Sequence, residues 1–261
     1  MTAMSICERL QPITLADAIE AADLQTRTDR KYVVDEAVLG ALVHELGDTV
    51  QVLDIDGVRR FGYQSVYFDS PDLQSYLGAA RSRRNRWKVR TRTYLDSGHC
   101  VLEVKVKSGR GQTVKHRIDY AVADGARLTD NGRAFVAELL DLPLAGRELQ
   151  PALTTSYRRT TLVGEAVRLT VDADFECVRA DGARTGMPGA LIVETKSAGP
   201  ATIADRLLWA LGSRPVTFSK YAVGMAALDP SLPANKWNQV LRRHLGRGEC
   251  GNGPRTIERT H

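Results

Sequence analysis

The stretch RWKVRTRTY at residues 86–94 places a cation at every second position. Successive side chains of a β-strand point to opposite faces of the sheet. A strand here would carry Arg86, Lys88, Arg90 and Arg92 on one face and mostly uncharged side chains on the other. Cations this close together repel one another unless an anion lies among them. The stretch therefore predicts a strand that binds a ligand with several negative charges.

The same alternation of charged and apolar side chains recurs in the segments at 101–107, 113–120, 167–175 and 191–196. The charged faces carry these nine cations: Lys88, Arg90, Arg92, Lys105, Lys107, Lys115, Arg117, Arg168 and Lys196. They also carry these five carboxylates: Glu103, Asp119, Asp172, Asp174 and Glu194. In TSYRRTTL at 155–162, the alternation leaves open whether Arg158 or Arg159 shares this face.

A charged face of this kind has two interpretations. In most antiparallel sheets it is the solvated outer face. If it points inward, the sheet must close into a barrel wide enough to hold solvent and a ligand. Periodicity alone does not separate the two. The excess of cations over carboxylates and the presence of amphipathic helices that could coat a barrel favour the inward arrangement.

Composition narrows the class of protein only loosely. The chain has 261 residues, 43% hydrophobic and 26% charged, and a formal net charge of +5. Because this excess is mild, the clustering of the cations matters more than their number. The four cysteines (Cys7, Cys100, Cys177 and Cys250) show no paired spacing, which is typical of reduced thiols and predicts a cytoplasmic protein. We find no signal peptide and no transmembrane segment of 18 apolar residues.

Periodicity and turn residues predict a mainly β chain with helices between the strands. The predicted strands are at 61–69, 86–95, 99–107, 114–122, 153–163, 166–176 and 189–197. The predicted helices are at 13–23, 34–46, 131–141, 200–211, 221–228 and 233–245. No repeat or long linker divides the chain, so we expect one domain over 1–245. The residues 246–261 have no periodicity and are predicted to be a disordered tail.

Eight short motifs, in this order, carry a family resemblance: TRTDRKYVV (26–34), VYFDSPDLQSY (66–76), RWKVRTRTY (86–94), LEVKVK (102–107), TSYRRTTL (155–162), RLTVDADFE (168–176), VETK (193–196) and FSKYAVGM (218–225). Together they resemble the VTC domain, a branch of the triphosphate tunnel metalloenzymes or CYTH-like superfamily. The resemblance extends over about 24–228. It implies an α+β, mainly β fold: an eight-stranded antiparallel β-barrel tunnel with the charged faces inside and helices packed on the outside.

The resemblance also implies roles for individual residues. Catalytic contacts to phosphate are implied for Arg90, Arg92, Lys105, Arg159, Arg168 and Lys220, which resolves the Arg158/Arg159 ambiguity in favour of Arg159. Further phosphate-binding roles are expected for Lys31, Lys88, Lys107, Tyr157, Lys196, Ser219 and one of Lys115 and Arg117. The divalent metal is expected on Glu194, with Glu103 as a second candidate.

Several of these roles have structural alternatives. Glu103 is equally suited to hold Lys105 and a neighbouring arginine by ion pairing, and Tyr157 to simple packing. Asp172 and Asp174 are expected to pair with Arg168 rather than to bind metal. The basic run SRRNR at 82–86 is either a solvated loop or part of the mouth of the tunnel.

The predicted chemistry is phosphoryl transfer. Such a reaction needs charge neutralised on the phosphate oxygens more than it needs covalent help. Arginine binds phosphate with paired hydrogen bonds, lysine supplies a compact charge, and a carboxylate suits Mn²⁺ or Mg²⁺. We expect a polyphosphate polymerase that uses ATP. The alternatives are a triphosphatase, with water as the acceptor, and a non-catalytic domain that binds polyphosphate or nucleotide.

Two observations limit the expectation. The family carries glutamate where Asp29 stands and the eukaryotic enzyme carries lysine where Thr217 stands, so one phosphate-binding cation is missing. Nucleic acid is not an expected partner, because only 6% of the residues are aromatic and the basic strands lack interleaved stacking rings. The sequence does not indicate an oligomeric state.

Overall fold

The computed structural model describes residues 3–20, 28–107, 113–140, 149–165, 167–197 and 199–245. The strands are β1 (Pro12–Ile13), β2 (Thr28–Val34), β3 (Gln51–Leu53), β4 (Phe61–Asp69), β5 (Arg86–Tyr94), β6 (His99–Lys107), β7 (Thr113–Tyr120), β8 (Gln150–Gly164), β9 (Val167–Arg179), β10 (Arg184–Gly186) and β11 (Leu191–Ser197). The helices are α1 (Ala3–Cys7), α2 (Leu15–Glu20), α3 (Glu36–Leu46), α4 (Gln74–Ala80), α5 (Asp130–Leu140), α6 (Ile203–Ala210), α7 (Lys220–Leu228) and α8 (Asn238–His244).

Eight of the strands form one continuous path in the order β2-β11-β9-β8-β4-β5-β6-β7. Every neighbouring pair along this path is antiparallel. Two short strands attach to its side, β3 to β8 and β10 to β9, and β1 pairs with β3. The predicted α+β class and the predicted eight antiparallel strands are confirmed.

The closed barrel that was predicted is not confirmed. The path ends at β2 and β7, and no backbone pairing joins these two strands within the described residues. The sheet nevertheless curls, because Lys31 on β2 and Lys115 on β7 line the same cavity. We call the gap between β2 and β7 the seam.

Two groups of helices cover the outer face of the sheet, as predicted. On one side, α3 packs its buried leucines and Val43 against Tyr32, Leu169 and Val193 of the strands. On the other side, α5 places Val136 and Leu140 against apolar residues of β4, β5 and β6. These strand residues alternate with the charged positions, so the apolar faces point outward and the charged faces point inward.

Helix α7 departs from the prediction that all helices lie outside. Its Tyr221 stacks on Tyr67, whose side chain lines the inner cavity, with ring centroids 5.1 Å apart. A Cβ atom on Gly224 would lie 2.8 Å from a Leu153 methyl carbon and 2.9 Å from the Cys177 sulfur, so only glycine permits this approach. Seven consecutive residues, 221–227, are buried. The helix therefore packs against the inner face and occupies one end of the curled sheet.

A β-bulge in β9 makes this packing possible. The register between β8 and β9 shifts between Ser156 and Arg158, and Asp174 has a positive φ of 56°. The extra residue reverses the alternation beyond it. As a result, both Asp172, before the bulge, and Phe175, after it, point inward. Polar side chains therefore lie along the cavity while apolar ones meet α7.

Other predicted elements shifted in their boundaries. The predicted helix 13–23 is a short strand, β1, followed by α2, because Thr14 caps the helix by accepting a hydrogen bond from the Asp17 amide. The sequence did not predict α1, α4, β3 or β10. The hairpin loop at 108–112 and the tail at 246–261 lie outside the described residues, and the single-domain division stays a prediction.

Two sequence-based expectations concern cysteines and membrane spans. Cys7, Cys100 and Cys177 are buried free thiols, as predicted for reduced cysteines, whereas Cys250 lies outside the described residues. Among the described helices, none is long and apolar enough to span a bilayer. The cytoplasmic location stays a prediction.

Candidate anion-binding cavity

The inner face of the sheet encloses a cavity of about 320 Å³. It is lined by nine cations (Lys31, Lys88, Arg90, Arg92, Lys105, Lys115, Arg159, Lys196 and Lys220), three carboxylates (Asp29, Glu103 and Glu194) and three aromatic residues (Tyr67, Tyr157 and Phe218). The formal excess is six positive charges. Strand alternation and the α7 N-terminus bring these groups together from distant parts of the chain. The inward orientation of the charged faces, predicted from the resemblance, is found here.

On the side formed by β5, β6 and β7, the carboxylate of Glu103 is the centre of an ion-pair network. Its Oε2 accepts a hydrogen bond from Nε of Arg90 at 2.7 Å and lies 2.6 Å from Nη2 of the same guanidinium, and its Oε1 lies 3.4 Å from the Lys115 ammonium. Burial alone would raise the pKa of Glu103, but Arg90, Arg92 and Lys115 together lower it to about 2. Glu103 is 3% exposed and fully ionised at neutral pH. The ion-pair alternative thus describes Glu103, although its lysine is Lys115 and not Lys105.

On the side formed by β2 and β11, two lysines form the ion pairs of Glu194 among the described residues. The Lys31 ammonium lies 3.6 Å from Oε2, and Lys196 donates a hydrogen bond to Oε1. Although burial opposes ionisation, these two lysines hold the pKa of Glu194 far below its usual range. The Glu194 side chain is 13% exposed, facing the cavity, so it is more accessible than Glu103.

Between these two sides, Asp172 on β9 joins strand β8 to helix α7. Nε and Nη2 of Arg159 donate paired hydrogen bonds to its two oxygens at 2.6 and 2.9 Å, and Lys220 donates to one of them. Burial acts against the charge, yet Arg159 and Lys220 lower the pKa of Asp172 to about 2. We expected both Asp172 and Asp174 to form ion pairs with Arg168, and this prediction of the partner is wrong. Asp172 orients Arg159 and Lys220, and Asp174 pairs with Arg60 at 2.6 Å.

Arg92 and Lys105, like Lys88, have no carboxylate partner among the described residues that line the cavity. The Nε of Arg92 is buried without a hydrogen-bond acceptor, and its guanidinium lies over the Tyr63 ring at 5.6 Å. Burial, and then the positive charge of Lys31 across the seam, lower the pKa of Lys105. A buried cation without a partner is costly, so both groups favour an incoming anion.

Lys88 and Tyr67 form a coupled pair next to α7. Burial, together with Arg90 and Lys105, lowers the pKa of Lys88 to about 8, although Tyr67 acts in the opposite direction. Burial would raise the pKa of Tyr67, but Arg90 and Lys88 outweigh it and lower this pKa to about 8. The Lys88 ammonium donates to the Ser219 hydroxyl at 2.9 Å.

A ladder of aromatic side chains crosses the inner face at the end of β5 away from α7. His99, Tyr94, Tyr63 and Tyr157 are register partners on four neighbouring strands. The Tyr63 and Tyr157 rings stack at 5.2 Å with an interplanar angle of 5°. The Arg159 guanidinium lies 5.3 Å from both ring centroids, and the Lys220 ammonium lies 4.2 Å from that of Tyr157. Packing against these rings fixes the cations, which accords with the packing alternative for Tyr157.

Twelve of the sixteen predicted site residues line the cavity. The other four are placed elsewhere: Lys107, Arg117, Arg168 and Ser219. Lys107 lies one strand step beyond the cavity, and of the two β7 candidates Lys115 lines the cavity whereas Arg117 does not. Arg168 pairs in register with Lys196 at the far end of β11. Ser219 caps α7 and accepts from Lys88 instead of facing the cavity.

Three lining residues were not predicted as site residues: Asp29, Tyr67 and Phe218. Asp29 was singled out only as a departure from the family pattern. Tyr67 follows the same strand alternation as Tyr63, so its inward position could have been read from the β4 pattern. Phe218 lies two residues before α7, and its place at the cavity follows from the packing of α7 against the inner face of the sheet.

The carboxylates do not by themselves form a metal centre. Among the described residues, no group of three or more His, Cys, Asp or Glu side chains is arranged to hold a metal ion. A divalent cation needs several oxygen ligands. The residues present fit a cation that arrives already bound to phosphate oxygens and takes Glu194 as one further ligand, with Asp29 on the neighbouring strand.

Comparisons with known proteins give the following matches. The sequence model of the VTC domain matches residues 26–229. Subunit 4 of the vacuolar transporter chaperone complex of Schizosaccharomyces pombe is 28% identical over 149 residues, which are 45% of this chain and 21% of that protein. The chain thus spans about a fifth of the length of this curated relative.

Two solved structures resemble the fold coarsely. A putative adenylyl cyclase from Hippeastrum, described as having a dominant triphosphatase activity, is 16% identical, with 75% of this chain and 93% of that chain covered and a TM-score of 0.46. A putative adenylate cyclase from Vibrio parahaemolyticus is 11% identical, with 72% and 87% covered and a TM-score of 0.41.

Proposed function

Because the chain belongs to the VTC domain family, as its motifs predicted, we propose that its cavity binds inorganic polyphosphate and transfers to it the terminal phosphoryl group of ATP. One observation carries the proposal. The cavity gathers nine cations against three carboxylates, and three of the cations, Lys88, Arg92 and Lys105, have no carboxylate partner among the described residues. A linear phosphate chain supplies the missing negative charge.

The reaction exchanges one P–O bond for another. An oxygen at the end of the polyphosphate chain bonds to the γ-phosphorus of ATP, the bond from that phosphorus to the β–γ bridging oxygen breaks, and ADP leaves. Charge on the non-bridging oxygens must be neutralised throughout. Arg90 and Arg159 are suited to this because their carboxylate partners fix the direction of each guanidinium. Arg92 and Lys105 supply positive charge that no ion pair within the described cavity occupies.

A divalent metal is part of the proposal, as Mn²⁺ or Mg²⁺. When bound, such an ion offsets negative charge on the transferring phosphoryl group. Glu194 is the residue we assign to it, because its lysine partners are flexible and its carboxylate is the more accessible one. Glu103 is assigned to hold Arg90 and Lys115. To admit the metal, Lys196 must move from Glu194 to a phosphate oxygen.

Incubation with ATP and Mn²⁺ tests the proposal directly. The expected product is a ladder of polyphosphate on a gel, with ADP released in equal molar amount to the phosphate incorporated. Release of free phosphate without chain growth would instead identify a triphosphatase, with water as the acceptor. Binding of triphosphate without either product would identify a non-catalytic domain. The absence of a three-carboxylate metal group among the described residues is the observation that favours this last alternative.

A thermal shift measurement separates cavity binding from general screening. A ligand that binds only the folded protein stabilises it, by about 2.7 kcal/mol at one hundred times its Kd. Millimolar triphosphate should therefore raise Tm more than sodium chloride does at equal ionic strength. Equal shifts from the two salts would mean that the cations are merely screened and would contradict the binding step itself.

A further inference from the structure

The row of cations inside the cavity continues past its end. Lys88, Arg90 and Arg92 line the cavity from β5, and Arg86 is the next residue on the same face. On β6, Lys105 lines the cavity and Lys107 is the next residue on its face. Each such step along a strand covers about 6.8 Å. Since Arg86 and Lys107 are register partners, they form a rung directly beyond that of Lys88 and Lys105.

Further cations surround this rung on the surface. Lys236, which precedes α8, donates to the Ala79 carbonyl oxygen at the end of α4 with an N–O distance of 2.6 Å. Arg83 and Arg84 are exposed in the loop between α4 and β5, and Arg86 donates to the Arg83 carbonyl oxygen at 3.1 Å. Burial, and then the positive charges of Arg86 and Lys107, lower the pKa of Lys236. These three side chains are therefore close enough to repel one another.

Nothing in the described part of the chain neutralises these cations. The ion pairs between described residues involve none of these five cations, which we call the cationic end: Arg83, Arg84, Arg86, Lys107 and Lys236. Elsewhere on the described surface, some arginines do have carboxylate partners, such as Arg127 with Asp124 and Arg179 with Asp181. A solvated surface usually mixes the two signs of charge. Five unpaired cations in continuation of an anion-binding cavity indicate a ligand that extends out of it.

We propose that the cationic end is a second binding segment for a linear polyphosphate chain, and holds the part of the chain that has left the reaction cavity. This inference rests on the proposed function, because only a polyanion already seated in the cavity continues in line with β5. Triphosphate fits within the cavity and does not reach the cationic end. A long chain engages both, so affinity should depend on chain length, and the growing chain should dissociate more slowly than a short primer.

The test compares triphosphate with long-chain polyphosphate in direct binding, without ATP. The variant is the double substitution Arg84→Gln and Arg86→Gln. The control, Arg158→Gln with Arg206→Gln, removes the same charge from exposed arginines away from the cavity face. The wild-type protein should bind the long chain at least about tenfold more tightly than triphosphate, as two weak charge contacts together allow. The cationic-end variant should lose most of that gain while its triphosphate affinity changes less than twofold, and the control should keep the gain.

Each other result overturns the inference. Equal loss for triphosphate and long chains would mean that the two arginines act on the cavity, and no loss for either would mean that they are a solvated loop. The same loss measured on vesicles of anionic lipid or on a single-stranded oligonucleotide would mean a generic basic surface. Failure of the wild type to bind triphosphate would instead refute the proposed function. The Tm of each variant is measured as well, and values equal to that of the wild type show that a loss of affinity does not come from unfolding.

Discussion

Glu103 and Glu194 lie in the same cavity, yet different kinds of cation hold them. Glu103 accepts a hydrogen bond from the guanidinium of Arg90 and forms a close ion pair with it, whereas Glu194 is held by the ammonium groups of Lys31 and Lys196. A guanidinium is a rigid planar donor, and an ammonium is a compact charge on a flexible stem. Glu194 can therefore exchange its partners for another cation more readily than Glu103 can.

The difference teaches how one residue type serves two roles in one cavity. Removing Arg90 from Glu103 would leave a buried carboxylate and a buried guanidinium apart, and each would be costly. Moving Lys196 away from Glu194 leaves a carboxylate that another cation can neutralise at once. The β5–β7 side thus supplies fixed positive charge, and the β2–β11 side supplies an exchangeable negative charge. The seam brings the two sides within electrostatic reach, since Lys31 and Glu194 both act on Lys105.

The largest effect is expected for Glu194→Gln, which keeps the size of the side chain and removes its charge. Phosphoryl transfer with Mn²⁺ should fall by about 100-fold or more, as it does when a group that stabilises transition-state charge is removed. Affinity for metal-free triphosphate should persist or increase, because one repelling charge has left the cavity. Turnover and metal-free Kd measured on the same protein check this.

Glu103→Gln is the matched control for that substitution. Its effect should come through Arg90, so triphosphate affinity should fall while the Mn²⁺ concentration required for half-maximal turnover stays the same. If Glu103→Gln changes the Mn²⁺ requirement and Glu194→Gln does not, the two carboxylates have been assigned the wrong way round.

A smaller effect separates paired from unpaired cations on the β5–β7 side. Arg92→Gln should weaken triphosphate binding by about tenfold to 100-fold, which corresponds to one charge-assisted hydrogen bond. It should also stabilise the ligand-free protein by about 1 kcal/mol, because it removes a cation from a self-repelling cluster. Arg90→Gln should weaken binding similarly but destabilise the protein, since it leaves Glu103 without its main partner.

Measurements of Kd for triphosphate and of urea unfolding on both variants test this contrast. Destabilisation of the two variants to the same extent would mean that Arg92, like Arg90, has a structural partner in the folded protein. Unchanged affinity in folded Arg92→Gln would remove the end of β5 from the binding surface.

Strand alternation explains why so many cavity residues were predictable from sequence. Once β5 and β6 were recognised, the parity of each position fixed its face, so Arg90, Arg92 and Lys105 followed without any knowledge of the sheet. The direction of that face, inward or outward, came from the family resemblance, because period-two patterns do not contain it. The core helices α3 and α5 were predicted for the same reason, through their 3.6-residue pattern.

The ion-pair partners could not be predicted in this way. Asp172 meets Lys220 across 48 positions of the chain, a contact that depends on where α7 enters the curled sheet. The bulge at Asp174 also changes which residues of β9 point inward, and nothing in the local sequence requires it. One signal was available: YAVGMAAL at 221–228 has no polar face, which is typical of a helix buried on all sides.

The smallest effect concerns pH and again compares two kinds of cation, now at residue 88. The pKa of Lys88 lies near 8, lowered by burial and by Arg90 and Lys105, so the group is charged below this pH and neutral above it. Bound phosphate favours the charged form and raises this pKa. Affinity should therefore be highest below the pKa of the free protein and decrease as pH rises toward the pKa of the complex. The titration of triphosphate itself is removed by comparison with Lys88→Arg, whose guanidinium stays charged.

The ratio of wild-type to Lys88→Arg affinity should fall by up to about tenfold between pH 7 and 9, since a shift of one pKa unit corresponds to 1.36 kcal/mol. Tyr67, whose pKa is also about 8, adds a negative charge over the same range. Introducing Tyr67→Phe into both proteins removes that part, and the fall of the ratio should then persist. If the ratio stays flat with pH both in proteins that keep Tyr67 and in those with Tyr67→Phe, Lys88 does not titrate in this range. A fall that vanishes with Tyr67→Phe would assign the whole effect to the phenol, and the ammonium of Lys88 would then join Arg90 as fixed charge.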